Sequence, residues 1–179
     1  VYTVSAHLNG ITDIVSLSDG KILTSGRDKQ IRIHDENGSF IQSLADSTAP
    51  LLRIGVSDDE TLLFSLTDNC RLDIHNITSS ETSEWVRDQS INLCPNGQGR
   101  AIEQLGQRLM LGMSNGKVFS LDLDSRSVTQ DFSVQGAVVG FSGTEGEGIH
   151  IYTTFASTSE IHLLDADRDD DGVVDGLDA

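Results

Sequence analysis

The sequence predicts an all-β chain: a β-propeller-like array of about four four-stranded antiparallel blades. Three observations carry that prediction. One short pattern returns four times, as Ile31-Arg32-Ile33-His34-Asp35, Leu72-Asp73-Ile74-His75-Asn76, Val118-Phe119-Ser120-Leu121-Asp122 and Ile161-His162-Leu163-Leu164-Asp165. The copies are 41, 46 and 43 residues apart, the period of a four-stranded blade. β-branched residues dominate the apolar runs, while helical periodicity is nearly absent. Turn residues also punctuate the chain at short intervals. A repeat cannot bury its apolar face alone, so each copy needs a neighbour. A sandwich also uses short strands, but the even period and the matching third strands favour blades.

In the first copy a strand at 11–17 reaches the Ser18-Asp19-Gly20 turn and continues at 21–25. Gly26-Arg27-Asp28 turns into a third strand at 30–34, and Asp35-Glu36-Asn37-Gly38 into a fourth at 39–44. The second copy has strands at 51–56, 61–65, 70–74 and 82–86, with Ser57-Asp58-Asp59-Glu60 as its first turn. The third has 101–105, 108–113, 117–121 and 128–132, with Asn115-Gly116 as a hairpin turn where glycine takes positive φ freely. The fourth has only 137–141, 149–154 and 159–163, because Asp165 opens an acidic segment.

The blades are thus 11–44, 51–86, 101–132 and 137–164. Val1-Tyr2-Thr3-Val4 is a strand without a blade of its own. Paired with 159–163 it would close a ring of four and remove both open edges. The alternative is a larger propeller of about six to eight blades. The missing initial Met and the abrupt end of the acidic segment favour the larger one.

The first copy resembles a WD-repeat β-propeller. His7 stands where that family has the His of its Gly-His pair, and Ser25-Gly26-Arg27-Asp28 looks like its strand end and tight turn. Ile31 to Asp35 looks like the third strand ending in Trp-Asp, and 26 residues separate His7 from His34. The resemblance implies a hydrogen-bonded chain of a His, a Ser or Thr, an Asp and the Trp-slot residue that locks the blade. The Trp slot holds His34, His75, Leu121 and Leu164, and only the first copy has the upstream His. The lock is therefore expected in one blade of the four.

Net charge is −16, from 28 acidic and 12 basic residues. The last fifteen residues contribute −6, which leaves −10 on the remainder. Such a field repels phosphate backbones, so nucleic acid is excluded as the expected partner. No run approaches the roughly 20 apolar residues that span a bilayer. Cys70 and Cys94 are the only cysteines. Their spacing carries no framework signature, and buried free thiols are favoured over a bridge. Two glycosylation sequons, Asn37-Gly38-Ser39 and Asn76-Ile77-Thr78, are short enough to arise by chance.

The segment 165–179 carries explicit chemistry. With Asp167 as position one, carboxylates fall at one, three, five, nine and twelve, and Gly172 at six. Ca²⁺ takes six to eight oxygens, and this spacing wraps a loop around it. Asp167, Asp169 and Asp171 supply side-chain oxygens, Val173 its carbonyl, Asp175 a direct or water-borne contact, and Asp178 closes the shell. The segment resembles a thrombospondin type 3 calcium loop, with Asp178 instead of the Glu of a helix–loop–helix site. That resemblance implies an extracellular or cell-surface setting, of the bacterial exported type. A solvated acidic tail is the plain alternative.

No nucleophile elbow, zinc-protease helix, phosphate loop or dinucleotide fingerprint occurs. Of the five histidines, His34 and His75 share one slot in consecutive blades. A metal-binding ring of imidazoles is one reading; a polar residue replacing Trp is the favoured one. His150 and His162 are expected to be packed or rim residues. The expected function is a binding or scaffold module recognising a protein or glycan partner through blade-connecting loops. Two alternatives stand beside it. One is a channel enzyme of hydrolase, lyase or quinone-dependent dehydrogenase type, and the other a structural surface or adhesion repeat.

Overall fold

The computed structural model describes residues 6–44, 47–93, 97–144, 148–156 and 158–164. It falls into two compact units, Val1–Gly99 and Arg100–Ala179. The first unit holds two sheets. β1 (Ile11–Ser16), β2 (Ile22–Gly26), β3 (Ile31–His34) and β4 (Phe40–Leu44) pair antiparallel in chain order. β5 (Leu51–Val56), β6 (Leu62–Thr67), β7 (Arg71–Asn76) and β8 (Val86–Asn92) repeat that meander.

The second unit holds the third sheet, of β9 (Gly99–Leu105), β10 (Arg108–Met113), β11 (Lys117–Asp122) and β12 (Val128–Ser133). Its fourth sheet has three strands among the described residues: β13 (Ala137–Thr144), β14 (Gly148–Phe155) and β15 (Thr158–Leu164). The strand expected at 1–4 lies outside the described residues.

One turn recurs in the middle hairpin of the first three sheets. Lys29, Cys70 and Gly116 all adopt positive φ, at 69°, 62° and 81°. Each donates its amide to the carbonyl three residues back, on Gly26, Thr67 and Met113, at 3.2, 3.3 and 3.2 Å. At Gly116 the conformation is reinforced by crowding, since a Cβ would collide with the Val134 carbonyl oxygen. The turn fixes the register of β2–β3, β6–β7 and β10–β11, and with it the face on which each side chain emerges.

In the first unit, one face of the first sheet buries Leu23, Ile31, Ile33 and Leu44 against Leu51, Ile54, Leu63, Ile77 and Trp85 of the second. In the second unit, Ala101, Leu105, Met110 and Val118 pack against Val138, Phe141 and Ile151. Gly112 admits this approach, because a Cβ there would collide with Val138. Each fully buried aliphatic contributes about 1.5–3 kcal/mol, so these faces hold the sheets together.

Two expectations are corrected. The outer strand of the second sheet runs Val86–Asn92 instead of 82–86, and Thr82–Glu84 form a 3₁₀ turn. Trp85 explains the shift: it is buried, and its indole donates to the Ser79 carbonyl at 2.8 Å, so the chain must turn before pairing. Cys70 is disulfide-bonded, not a free thiol, and no described cysteine is free. The chain after β8 runs beside it, with the Leu93 amide donating to the Cys70 carbonyl at 3.0 Å. Cys94, the other cysteine of the sequence, lies outside the described residues.

Candidate functional site

The densest polar constellation of the first unit sits on the first sheet, on the face opposite the core. β2 places Ile22, Thr24 and Gly26 on that face, and β3 places Arg32 and His34 there, since Thr24 pairs with Arg32 and Ile22 with His34. His7, from the segment before β1, lies across them. Its Nδ1 donates to Asp28 Oδ1 at 2.7 Å, and its Nε2 meets Thr24 Oγ1 at 2.9 Å. Thr24 Oγ1 stands 3.5 Å from His34 Nε2. The other Asp28 oxygen accepts from the Leu8 amide at 3.4 Å and from Arg32 Nη2 at 3.3 Å. Arg32 also donates to the Ala6 carbonyl.

Burial alone would push the Asp28 carboxyl up. The hydrogen bond and charge of His7, the Leu8 amide and the Arg32 charge together outweigh it and hold the group below the usual carboxylate range. Asp28 is therefore an anion, and the His7 side chain, 0% exposed, is locked between it and Thr24. Gly26 is required here, because a Cβ would collide with the His7 ring.

The arrangement resembles a His–Asp pair of acid–base chemistry, yet no reacting atom can reach the imidazole. Both ring nitrogens are taken, and the ring is enclosed. What it can do is tie the entering segment to the sheet.

The other sheets vary the theme. In the second, Arg71 Nε donates to Asp73 Oδ1 at 2.7 Å and Arg71 Nη1 to Thr48 Oγ1 at 2.9 Å; Ser90 also donates to Asp73. His75 is buried at the register of His34, and Ser65 at that of Thr24. In the third, Leu111 and Leu121 occupy both positions, and the hydroxyls of Ser120 and Thr129 meet at 3.0 Å. In the fourth, Thr153 Oγ1 meets His162 Nε2 at 3.1 Å. His162, not Leu164, is thus the counterpart of His34. It pairs with Ile151 as His34 pairs with Ile22, across a hairpin one residue tighter than that of the first sheet.

Above His34 lies a cavity of about 280 Å³ lined by Ile11, Ile14, Ile22, His34, Glu36 and Asn37. His34 is 4% exposed, and its Nδ1 has no hydrogen-bond partner. Phe40 covers one side of the ring in an edge-on contact, with centroids 6.0 Å apart.

The fold matches known structures. The computationally designed Ika4 protein aligns with a TM-score of 0.70 at 12% identity, covering 90% of this chain and 95% of that one. The RRP9 WD40 repeats align at 0.73 and 15% identity, covering 89% and 52%. The fold is a β-propeller array. A third match, the computationally designed Ika8 protein, aligns at 0.68 and 12% identity, covering 89% and 48%. The chain therefore spans nearly the whole of Ika4 but only about half the length of the other two propellers. No protein-family model matches the sequence, and no curated protein matches it.

The calcium ligands expected from the sequence, Asp167, Asp169, Asp171, Val173, Asp175 and Asp178, all lie outside the described residues. Among the described residues, no three or more His, Cys, Asp or Glu side chains are grouped to hold a metal. His150 is exposed and His162 half-buried. No helix among the described residues is long and apolar enough to cross a membrane. Sequence reasoning missed Thr24 and Arg32. Strand alternation was the usable signal, since Thr24 shares a face with Gly26, whereas Ser25 points to the other face and meets Thr12 Oγ1 at 3.0 Å.

Proposed function

We propose that this propeller array is a binding or scaffold module of an exported protein, recognising a protein or glycan partner through its connecting loops. The observation that carries the reading is the fate of the His7–Asp28 pair. The one His–Asp–hydroxyl constellation on the first sheet is enclosed and spent on locking strands, which supports a frame over a channel enzyme. The disulfide at Cys70 supports export, because such bonds persist in oxidising compartments and are rare in the cytosol. A rigid sheet frame that presents variable loops is a recurrent recognition device. The acidic segment 165–179 completes the reading as a calcium-binding spacer, its alternating carboxylates suited to a hard cation.

Melting of His7→Gln tests the frame. Loss of the lock lowers the melting temperature by several degrees, whereas a catalytic imidazole held at the expense of stability would leave it unchanged or raised. For the spacer, calorimetric titration of the full chain with calcium chloride should show one binding event. Asp169→Ala with Asp171→Ala should abolish it, and heat of binding that survives both substitutions would refute the assignment.

A further inference from the structure

The connecting turns of the first unit sort by charge. The β1–β2, β3–β4 and β5–β6 turns lie at one end of its two sheets, where the Ser18 hydroxyl of the first sheet donates to Glu60 of the second at 2.7 Å. Those turns carry Asp19, Asp35, Glu36, Asp58, Asp59 and Glu60, and their one cation, Lys21, is ion-paired with Asp19. The opposite end holds the segment before β1 and the β2–β3 and β6–β7 turns. There Arg27 and Lys29 are exposed, and neither side chain makes an ion pair or a hydrogen bond among the described residues. Arg32 and Arg71, in contrast, are ion-paired with Asp28 and Asp73. Of the carboxylates at this end, Asp28 is taken by His7 and Arg32, and Asp68 is half-buried.

Distance keeps the two ends electrically apart. The five residues of β2 span about 17 Å at roughly 3.4 Å each. The Debye length at physiological ionic strength is about 8 Å, so the acidic turns are screened from Arg27 and Lys29. An approaching group therefore meets local cations on a chain whose net charge is −16. Beside the β2–β3 turn an apolar side chain stands out. Leu8 is 89% exposed, so it adds nothing to the core. It is nevertheless held in place. Its amide donates to Asp28 Oδ2 at 3.4 Å, the adjoining His7 is locked, and the Gly10 carbonyl accepts the Arg27 amide at 3.4 Å. A fixed, exposed leucine loses little further freedom when a partner covers it.

We infer that this end of the first unit docks an acidic segment of a partner protein, with Leu8 meeting an apolar residue and Arg27 and Lys29 meeting carboxylates. The inference rests on the partner-binding reading and names its surface and the partner's chemistry. Charge complementarity selects an anionic occupant. The apolar contact selects a peptide over an anionic glycan. A uronate or sulfated chain offers no aliphatic side chain to Leu8, and its repeated charge meets the repulsive field of the whole chain. The His7–Asp28 lock gains a purpose in this arrangement: it presents Leu8 at a fixed place beside the two cations.

Titration of the full chain with a blocked peptide, Glu-Asp-Leu-Phe-Asp-Glu, tests it, with backbone amide shifts in nuclear magnetic resonance as the readout. The shifts should concentrate at residues 8–10 and 26–29, and binding should weaken as salt rises. Arg27→Glu with Lys29→Glu should weaken binding about tenfold or more, because two attractions become repulsions. Leu8→Ser should weaken it several-fold by removing the apolar contact. All three side chains are exposed, so both variants should stay folded by circular dichroism. The sign-reversed peptide Lys-Arg-Leu-Phe-Arg-Lys should leave this end unshifted. Affinity unchanged in either variant, or a polyuronate oligomer that binds as tightly as the acidic peptide, would overturn the inference. Acidic-peptide shifts confined to other connecting loops would overturn this surface and keep the partner-binding reading. No shift at any connecting loop with either peptide would count against both.

Discussion

The first and third sheets share a backbone and differ in what fills it. Both have the same four-stranded order and the same positive-φ turn, at Lys29 and at Gly116. Where the first sheet puts Thr24 and His34, the third puts Leu111 and Leu121, each 0% exposed. Where the first puts Asp28 at the turn, the third puts Asn115, whose side-chain oxygen accepts the Lys117 amide at 3.3 Å. A blade therefore does not need the polar lock to form. The lock does something narrower: it fastens the segment before β1, through His7, to the sheet behind it. Polar chains satisfy their own groups and add direction, whereas an apolar pair adds burial without direction.

That contrast can be broken most sharply in the third sheet. Leu121→Ala removes a fully buried side chain and leaves a cavity that the strands cannot collapse, so a loss of about 3 kcal/mol is expected. The midpoint of urea unfolding measures it. A loss below about 1 kcal/mol would mean that the apolar slot is not what holds that blade.

In the first sheet the corresponding test is Asp28→Ala, which strands His7, the Leu8 amide and Arg32 at once. About 2 kcal/mol is expected, chiefly from the enclosed His7 donor left without its acceptor. The pH dependence sharpens the test. Folding lowers the Asp28 pKa, so its contribution is complete above the usual carboxylate range and is lost as pH falls through the depressed value. Wild type and Asp28→Ala should therefore differ at neutral pH and converge on acidification. A gap that persists in acid would assign the effect to packing instead of charge. Leu121→Ala, having no titrating group, should show no such convergence.

The sequence made the array legible because its period and turn residues are local signals. Gly26-Arg27-Asp28 and Asn115-Gly116 announce their hairpins without reference to anything distant. His7 and Asp28 were legible as partners only through the resemblance of the first copy, since 21 positions separate them in the chain. The second outer strand was displaced by Trp85, a tertiary anchor that local propensity does not see. The slot of the fourth sheet lies two residues before Leu164, a difference that keeps the side chain on the same face and leaves the apolar pattern unaltered. The bond at Cys70 depends on a chain crossing after β8, a long-range event that the spacing of two cysteines does not encode.

The smallest effect is also the most specific. Thr24 joins His7 to His34, while its sequence neighbour Ser25 faces the other way and meets Thr12. Thr24→Val keeps the shape and deletes the hydroxyl, so His7 Nε2 loses its partner in an enclosed site, at about 1 kcal/mol. Thr24→Ser keeps the hydroxyl and deletes only a buried methyl. If the lock is a hydrogen-bonded chain, the serine variant should melt above the valine variant. The reverse order would reduce the first sheet to a packing problem like the third, with His7 held by shape alone. Leu111→Thr in the third sheet supplies the complementary control: a hydroxyl placed there pairs across the strands with Phe119 and finds Leu121, not an imidazole, in the slot, so it should destabilise by more than Thr24→Val does.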